Sequence, residues 1–423
     1  MRKRLFVGTI VVLGFILGGI ILIKGGNDIF VILCFLIVSL LFLYLLKGNS
    51  GVSNGDKIII WILESIIITF VSFGLLKTSF NIIKSNDNSN NKYDVILDKS
   101  NVVSDKNINL SSIDSDVTIV DGGSYTLKGN FKHSIIIDSD EEVKLILNNV
   151  DISNDKTAGI ICVGTGNLTI ILNDGTHNVI SDGGNSQYDG AIYSMSDITF
   201  SGSGYLVVNG NQIEGEGIAT ENANISFNGG SYNITSVDDG INAGGDGGTI
   251  TINDGEFYVD AGGDGIDSNQ NAVINGGTVY VMGSDTGGDS GIDTDDGYII
   301  NGGLVIALGS DMIETPENNS GQKTMAFVLD SAISKDTLVT LLSDDQIITS
   351  FVSGKSFRTL IISSDRISDK NYSLYIGGTN SGTLNNGIYD DGEYNKGNLV
   401  SINNNSTFNV SDVVNLYGTE RRR

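Results

Sequence analysis

The stretch GGDGIDSNQNAVINGG, from Gly262 to Gly277, is followed by a close copy, GGDSGIDTDDGYIINGG, from Gly287 to Gly303. Aligning the glycine near each isoleucine extends this repeat backwards along the chain. The aligned glycines are Gly190, Gly217, Gly240, Gly265 and Gly291, at spacings of 27, 23, 25 and 26 residues. A recurring unit of about 25 residues is typical of a solenoid, whereas a propeller blade needs about 40 or more.

Short alternating segments separate these landmarks. They are TITI (Thr249–Ile252), FYV (Phe257–Val259), NAVI (Asn271–Ile274) and TVYV (Thr278–Val281). Period-two patterning with β-branched and aromatic residues predicts strands, and Asn-Gly-Gly or Asn-Asp-Gly corners supply positive φ at little steric cost. We therefore predict an all-β parallel β-helix over residues 93–316. Residues 317–418 lack the repeat and are predicted to form a C-terminal β region that caps it.

Charge is distributed unevenly in the 423-residue chain, whose net charge is -25. Between Thr157 and Gln322 there are 23 Asp and Glu residues and no Lys or Arg, so we expect the balancing charge to come from outside the chain. Such a surface excludes nucleic acid as a partner, because phosphate binding needs cationic side chains. Equivalent residues of successive turns stack about 4.8 Å apart. Two unit charges at that spacing repel by about 3 to 4 kcal/mol at an effective dielectric constant of 20, and by about 1 kcal/mol in water.

Two columns of the aligned repeat carry this charge. The residue before each glycine gives Asp189, Glu216, Asp239, Asp264 and Ser290, and the position two places after it gives Asn242, Asp267 and Asp293. Protonation of several neighbouring carboxylates is unfavourable at neutral pH, so the alternatives are exposure with counterions or a bound cation. Calcium takes six to eight oxygen ligands and fits these loops best. The predicted calcium ligands are Asp239, Asn242, Asp264, Asp267, Asp289 and Asp293.

Several segments together resemble the clostridial-type carbohydrate-binding domain family. They are VTIVDGGSYTLKGN (Val117–Asn130), VKLILNNVDI (Val143–Ile152), LTIILNDGTHNVISDGG (Leu168–Gly184), the Gly-Ile units, KSFRTLIISS (Lys355–Ser364) and YSLYIGG (Tyr372–Gly378). The resemblance covers about two thirds of the chain, from Tyr93 to Gly378. It implies a right-handed parallel β-helix that binds cellulose or polygalacturonate together with calcium.

The sequence leaves two questions about polysaccharide open: the role of a tyrosine pair, and whether the protein binds or degrades the polymer. Tyr258 and Tyr280 occupy one outward column on adjacent turns, where they form either a sugar-stacking platform or a stabilising ladder. A uronate lyase needs Arg or Lys beside the metal-bound sugar, and the window from Thr157 to Gln322 has neither. A hydrolase with two carboxylates is harder to exclude. We predict a binding protein rather than an enzyme, with a structural or adhesive surface protein and a polysaccharide-degrading enzyme as alternatives.

Three apolar runs within residues 1–80, at 5–23, 29–46 and 58–76, have the length of transmembrane helices. Positive charge at Arg2, Lys3 and Arg4, and at Lys47 and Lys57, places the amino terminus in the cytoplasm. Three crossings then place the β-helix outside the cell, tethered by a polar linker at residues 81–92. The Asn/Gly-rich tract at 380–405 has no role that its sequence indicates.

Overall fold

The computed structural model describes residues 92 and 94–419. Within them the chain consists of β-strands and one short 3-10 helix, Leu110–Ser112. The predicted spans at 5–23, 29–46 and 58–76, and the predicted linker except for Lys92, lie outside the described residues. In the part that is described, no helix has both the length and the apolar character needed to cross a membrane.

Twenty-one strands lie between residue 94 and residue 310. In chain order they are β1 (Asn107–Asn109), β2 (Val117–Ile119), β3 (Gly123–Phe131), β4 (Ile135–Ile137), β5 (Val143–Ser153), β6 (Ile160–Cys162), β7 (Leu168–Leu172), β8 (His177–Ser181), β9 (Gly190–Ser194), β10 (Ile198–Gly202), β11 (Tyr205–Gly210), β12 (Glu216–Glu221), β13 (Ile225–Ser236), β14 (Ile241–Gly244), β15 (Ile250–Asp260), β16 (Ile266–Ser268), β17 (Ala272–Ile274), β18 (Thr278–Met282), β19 (Ile292–Thr294), β20 (Tyr298–Ile300) and β21 (Leu304–Gly309).

These strands stack in parallel from one turn of the chain to the next. One sheet contains eight of them in the order β19-β16-β14-β12-β9-β6-β4-β2, and a longer sheet runs through β1, β3, β5, β7, β10, β13, β15, β18 and β21. Each pair within this stack is parallel and joins strands of neighbouring turns. The predicted all-β parallel β-helix is therefore confirmed.

The isoleucine of each repeat forms a continuous column in the core. Its members are Ile135, Ile160, Ile192, Ile218, Ile241, Ile266 and Ile292, each directly opposite the next in register. All are at most 1% exposed. Burying such a side chain contributes about 1.5 to 3 kcal/mol, so this column explains why the repeat keeps isoleucine at one position.

The landmark glycines are required by close packing between turns. A Cβ at Gly240 would lie 2.6 Å from the carbonyl oxygen of Gly265, and one at Gly265 would lie 2.6 Å from that of Gly291. At the Asn-Gly-Gly corners the reason is different, because Gly277 and Gly303 have φ values of 83° and 85°. Such values are accessible to glycine at little cost.

The region from residue 310 to residue 419 contains ten strands. They are β22 (Thr324–Ile333), β23 (Leu338–Ser343), β24 (Gln346–Val352), β25 (Phe357–Ser363), β26 (Asn371–Asn380), β27 (Thr383–Asn385), β28 (Ile388–Asp390), β29 (Tyr394–Leu399), β30 (Phe408–Asn409) and β31 (Val414–Tyr417).

Most strand pairs of this region are antiparallel, unlike those of the β-helix, although β22 and β31 pair in parallel. Strand β25 pairs antiparallel with β21, the last strand of the parallel stack in the longer sheet, and thereby covers its edge. Strands β23, β24, β26, β27, β28, β29 and β30 form a separate sheet. A second core forms where this region packs on the outer face of the last turns, and it contains Tyr280, Ile306, Phe327 and Phe351.

Candidate metal centre

The two acidic columns anticipated from the repeat are present in the structure. Asn242, Asp267 and Asp293 lie directly opposite one another on β14, β16 and β19. The backbone N–H of Gly240 donates to the carbonyl oxygen of Asp264 at 2.9 Å, which joins the turns that carry Asp239 and Asp264. Since register in a β-helix is set by the buried isoleucine column, the fold itself brings these carboxylates together.

Asp189 departs from the aligned column. Gly190 rather than Asp189 lies opposite Glu216, because Ala191 separates this glycine from its isoleucine. Placing Asp189 in the column before the glycine was therefore wrong by one residue.

Three aspartates from the two columns converge on one point. Asp264, Asp267 and Asp293 each offer a carboxylate oxygen, and these oxygens lie within 4.8 Å of one another. All three side chains are half-buried. Oxygens on opposite sides of a calcium ion lie about 4.6 to 5.2 Å apart, so the spacing is suited to ligands of one such ion.

Two of the other predicted ligands, Asp239 and Asn242, are held by hydrogen bonds. Asp239 Oδ1 accepts from the backbone N–H of Asp264 at 2.7 Å. The side-chain amide of Asn242 donates to Glu216 Oε1 at 3.0 Å and to Asp239 Oδ2 at 3.1 Å. Asn242 thus relieves repulsion between two carboxylates on neighbouring turns.

The two acidic columns together form an aspartate ladder that runs from Glu216 to Asp293. Several of its carboxylates have raised pKa values. Burial, together with the charge of Asp293, raises the pKa of Asp267 to about 6. Burial also raises the pKa of Asp264 to about 7, although a hydrogen bond from the backbone of Ser290 opposes the shift. For Asp239, burial and the adjacent Asp238 raise the pKa to about 8. Negative charge is therefore unfavourable at several adjacent positions in the absence of a cation.

Asp289 lies at the border of the three-aspartate group. It is half-buried, and its charge contributes to the raised pKa of Asp238 and of Asp264. The three-aspartate group itself does not include Asp289, Asp239 or Asn242. The structure therefore collects three of the six predicted ligands at one point and places Asp239, Asn242 and Asp289 beside them.

Glu314 is a neighbour that the repeat did not reveal. Its Oε1 accepts from the hydroxyl of Thr294 at 2.7 Å, whereas Oε2 is buried and has no hydrogen-bond partner among the described residues. Burial raises the pKa of Glu314 to about 7, and the charge of Asp293 adds to the shift. Because Glu314 follows the last repeat, only its proximity in the fold connects it with the ladder.

Two lysines from outside the acidic window reach the β-helix. Lys92 pairs with Asp189, and its charge opposes the raised pKa of Glu216. Lys355 pairs with Asp260 at 2.9 Å. Arg358 likewise pairs with Asp311 at 2.6 Å. The expectation that the charge between Thr157 and Gln322 is balanced from outside the chain was therefore wrong in part, because these three cationic side chains reach the window from distant positions along the chain.

The tyrosine pair occupies one column but does not form a sugar platform. Tyr258 lies opposite Tyr280 in register, with ring centroids 5.6 Å apart and planes at 84°. Tyr280 is fully buried, its ring lies 5.6 Å from that of Phe351, and its hydroxyl donates to the carbonyl oxygen of Val352 at 2.9 Å. A buried ring offers no face to a sugar, so the platform interpretation was wrong for Tyr280.

Comparison with known proteins adds to this geometry. A family profile described as "Carbohydrate-binding domain-containing protein" matches residues 113–352, which is more than half of the chain. The chain belongs to this carbohydrate-binding domain family. The matched range of the family domain includes the three converging aspartates and most of the β-helix.

One relative in this carbohydrate-binding family comes from Acetivibrio thermocellus and carries the same description. It is 32% identical over 136 residues, which cover 30% of this chain and 46% of the relative. The aligned part thus spans about half of the relative's length.

A solved structure with partial similarity is titled "Structure of the polysaccharide lyase-like protein from C. thermocellum, Gadolinium derivative". It shares 25% sequence identity with this chain. The match covers 48% of this chain and 84% of that one, with a TM-score of 0.35.

Proposed function

We propose that this protein is a membrane-anchored extracellular carbohydrate-binding protein that binds acidic or cellulosic polysaccharide through a calcium-stabilised β-helix. The observation that carries the proposal is the convergence of Asp264, Asp267 and Asp293 from adjacent turns. These residues lie in a domain of a carbohydrate-binding family.

Calcium suits this group because its donors are carboxylate oxygens from different turns. A calcium ion there would neutralise charges that the β-strand register forces together, and it would link neighbouring turns of the stack. Asp264, Asp267 and Asp293 would supply the ligands. The partnerless Oε2 of Glu314 lies near Asp293 and provides a further acidic oxygen in the same neighbourhood.

An acidic polysaccharide is compatible with this surface when calcium is present. A divalent cation held by protein carboxylates retains coordination positions that a sugar carboxylate can occupy, so cation bridging joins two surfaces of the same sign. Without the ion, a polyuronate would be repelled by the ladder. Binding to such a ligand should therefore require calcium.

Membrane attachment rests on the three apolar runs at 5–23, 29–46 and 58–76, each close to the length of a bilayer span. The positively charged residues at the amino terminus and in the second loop place the β-helix on the external side. In this arrangement the domain meets polysaccharide outside the cell.

Binding without catalysis is the activity that we assign. Lys92 is engaged with Asp189, several turns away from Asp267 along the stack. Lys355 contacts the turns that carry the three aspartates, but its ammonium group pairs with Asp260 and donates to the carbonyl oxygens of Ala261 and Gly283. Both ammonium groups are therefore engaged by acceptors of the protein rather than by a sugar held at the three aspartates.

The test uses the full-length chain in a detergent that contains no sugar. Retention on polygalacturonate and on cellulose is measured in calcium and in chelator, while unsaturated product and new reducing ends are followed over time. We expect retention without product, and we expect chelation to abolish retention on polygalacturonate.

Three other outcomes would lead to different conclusions. Formation of either product would make the protein a polysaccharide-degrading enzyme. Failure to be retained on both polymers would favour the structural or adhesive alternative. If chelation changed neither retention nor thermal stability, calcium would not be a component of this domain.

A further inference from the structure

The C-terminal region contains a cleft that is separate from the aspartate ladder. Its volume is about 570 Å³, within the range of about 300 to 1,000 Å³ that is typical of small-molecule sites. One wall comes from the β23–β24 hairpin, around Asp345 and Gln346. The other comes from the connection between β28 and β29, which belongs to the Asn/Gly-rich tract at 380–405.

Two tyrosines provide aromatic surface in this cleft. Tyr389 and Tyr394 both line it, and both are half-buried, so part of each side chain faces solvent. Tyr394 is fixed in place because its hydroxyl donates to the carbonyl oxygen of Gly377 at 2.7 Å and accepts from the backbone N–H of Gly397 at 3.0 Å. Rigid aromatic rings lose little conformational entropy when a ligand packs on them.

Two cationic side chains are also held in position. The guanidinium of Arg366 donates to the backbone carbonyl oxygens of Ile348, at 3.0 Å, and Ile347. Lys396 forms an ion pair with Asp345 across the cleft. Among the described residues, no carboxylate lies within ion-pair distance of Arg366, so the guanidinium has hydrogen-bond donors that its two carbonyl partners do not use.

Charge decides which class of ligand fits. The cleft is lined by three carboxylates, Asp345, Asp391 and Glu393, and by two cations, Arg366 and Lys396, which gives a net charge of -1 by counting. A polyanion gains nothing from such a site. A neutral sugar offers hydroxyls that donate to carboxylates and accept from guanidinium, and its C–H faces pack on tyrosine rings.

We propose that this cleft binds a neutral glycan chain, and that it is a second carbohydrate site independent of the aspartate ladder. The inference rests on the proposed carbohydrate-binding function and names the ligand class of a distinct region. It also assigns a role to the tract at 380–405. Because no carboxylate of the three-aspartate group lines the cleft, binding there should not need calcium.

The experiment titrates the full-length chain, in sugar-free detergent, with cellohexaose and with a galacturonate hexamer by calorimetry, in calcium and in chelator. Tyr389→Ala removes a stacking ring and Glu393→Gln removes a hydroxyl acceptor of the cleft. Tyr205→Ala is the matched control, because Tyr205 is also half-buried but lies on β11 of the β-helix. Thermal unfolding confirms that each variant is folded. Glu393 is exposed, so its replacement keeps the test valid if Tyr389→Ala unfolds.

We expect Tyr389→Ala to weaken cellohexaose binding by about tenfold and Glu393→Gln to weaken it by about threefold or more, with Tyr205→Ala and chelation without effect. Unchanged affinity in both cleft variants, or loss of affinity in Tyr205→Ala, would overturn the inference. Calcium-dependent binding of galacturonate alone would overturn it and leave the proposed function standing. Binding of neither ligand would overturn both.

Discussion

Asp267 lies directly opposite Asp293 on adjacent parallel strands, and their carboxylate oxygens meet within 4.8 Å at a point shared with Asp264. The buried isoleucine that precedes each aspartate fixes this register, since Ile266 faces Ile292 in the same strand pair. The like charges cannot separate by slipping one residue, because a slip would move the isoleucines out of the core. A bound cation, or a proton at lower pH, would relieve this repulsion.

The first prediction concerns Asp267→Asn, which removes one charge and keeps the shape of the side chain. Without metal, we expect the variant to be more stable than the parent by about 1 to 3 kcal/mol, because one repulsive pair with Asp293 is lost. Saturating calcium should stabilise the parent, by about 2.7 kcal/mol at 100 times the dissociation constant, and should stabilise the variant less. Thermal unfolding in chelator and in calcium measures both effects.

Asp246→Asn serves as the control for this experiment, because Asp246 is exposed and lies outside the two acidic columns. It should change neither the metal-free stability nor the response to calcium by more than about 0.5 kcal/mol. If Asp267→Asn destabilised the metal-free protein and left the response to calcium intact, the three aspartates would not be a cation site.

The second prediction is a dependence of metal-free stability on pH. The pKa values of Glu216 and Asp239 are about 8, that of Asp264 about 7 and that of Asp267 about 6, compared with ordinary values of 4.5 for Glu and 3.8 for Asp. Between the ordinary and the raised values, the folded chain binds more protons than the unfolded chain. The free energy of unfolding should therefore fall as the pH rises from about 4 to about 8.

Calcium competes with these protons for the same oxygens. In the presence of calcium, the free energy of unfolding should therefore fall less steeply as the pH rises. Unfolding in urea at several pH values, in chelator and in calcium, provides the measurement. If the stability of the metal-free protein rose steadily from pH 5 to pH 8, the carboxylates of the ladder would be screened by solvent, and repulsion between them would not destabilise the folded chain.

The sequence predicts the β-helix well because a single repeat encodes both its core and its corners. The isoleucine column and the Asn-Gly-Gly corners appear in the structure where the alignment puts them. Strand boundaries are less predictable. The TITI and FYV segments were expected as separate strands, yet β15 runs through both of them. The Asn-Asp-Gly corner between the two segments coincides with a register irregularity in the pairing of β13 with β15.

The contacts around the candidate site are harder to predict from sequence, because several of them are made by residues that are distant along the chain. The register that joins Asp267 to Asp293 follows from the repeat, whereas Lys92 reaches Asp189 from 97 residues away. Burial of Tyr280 depends on how the non-repetitive C-terminal region packs, and no periodic pattern encodes that contact. Local periodicity therefore predicts contacts between neighbouring turns and misses those made by the C-terminal region.

The third prediction separates structure from sugar binding at this tyrosine. Tyr280→Phe removes the hydroxyl that donates to Val352 at 2.9 Å and accepts from the backbone N–H of Gly354 at 3.2 Å. We expect a loss of about 1 to 2 kcal/mol in stability, since buried partners are left without a hydrogen bond. Retention on polygalacturonate and on cellulose should be unchanged. Reduced retention of a Tyr280→Phe variant whose stability is unchanged would mean that Tyr280 contributes to sugar binding.

The fourth prediction concerns the contact of Lys355 with two neighbouring turns of the β-helix. Its ammonium group pairs with Asp260 Oδ1 at 2.9 Å and donates to the carbonyl oxygens of Ala261 and, at 3.3 Å, Gly283. The Lys355 side chain is only 19% exposed. Lys355→Met keeps the apolar stem and removes the charge, so we expect a loss of about 1 to 3 kcal/mol in the free energy of unfolding.

Lys99→Met is the matched control for this variant, because Lys99 pairs with Asp138 at the same 2.9 Å but is 41% exposed. An exposed pair contributes about 0 to 1 kcal/mol, so the control should stay within that limit. Urea unfolding of the parent and both variants gives the comparison, with high salt as a second condition. Equal losses in the two variants would mean that Lys355 acts as an ordinary surface charge. A larger loss in Lys355→Met that persists in salt would show that hydrogen bonds to the backbone of two turns, rather than long-range attraction to the acidic surface, join the C-terminal region to the β-helix.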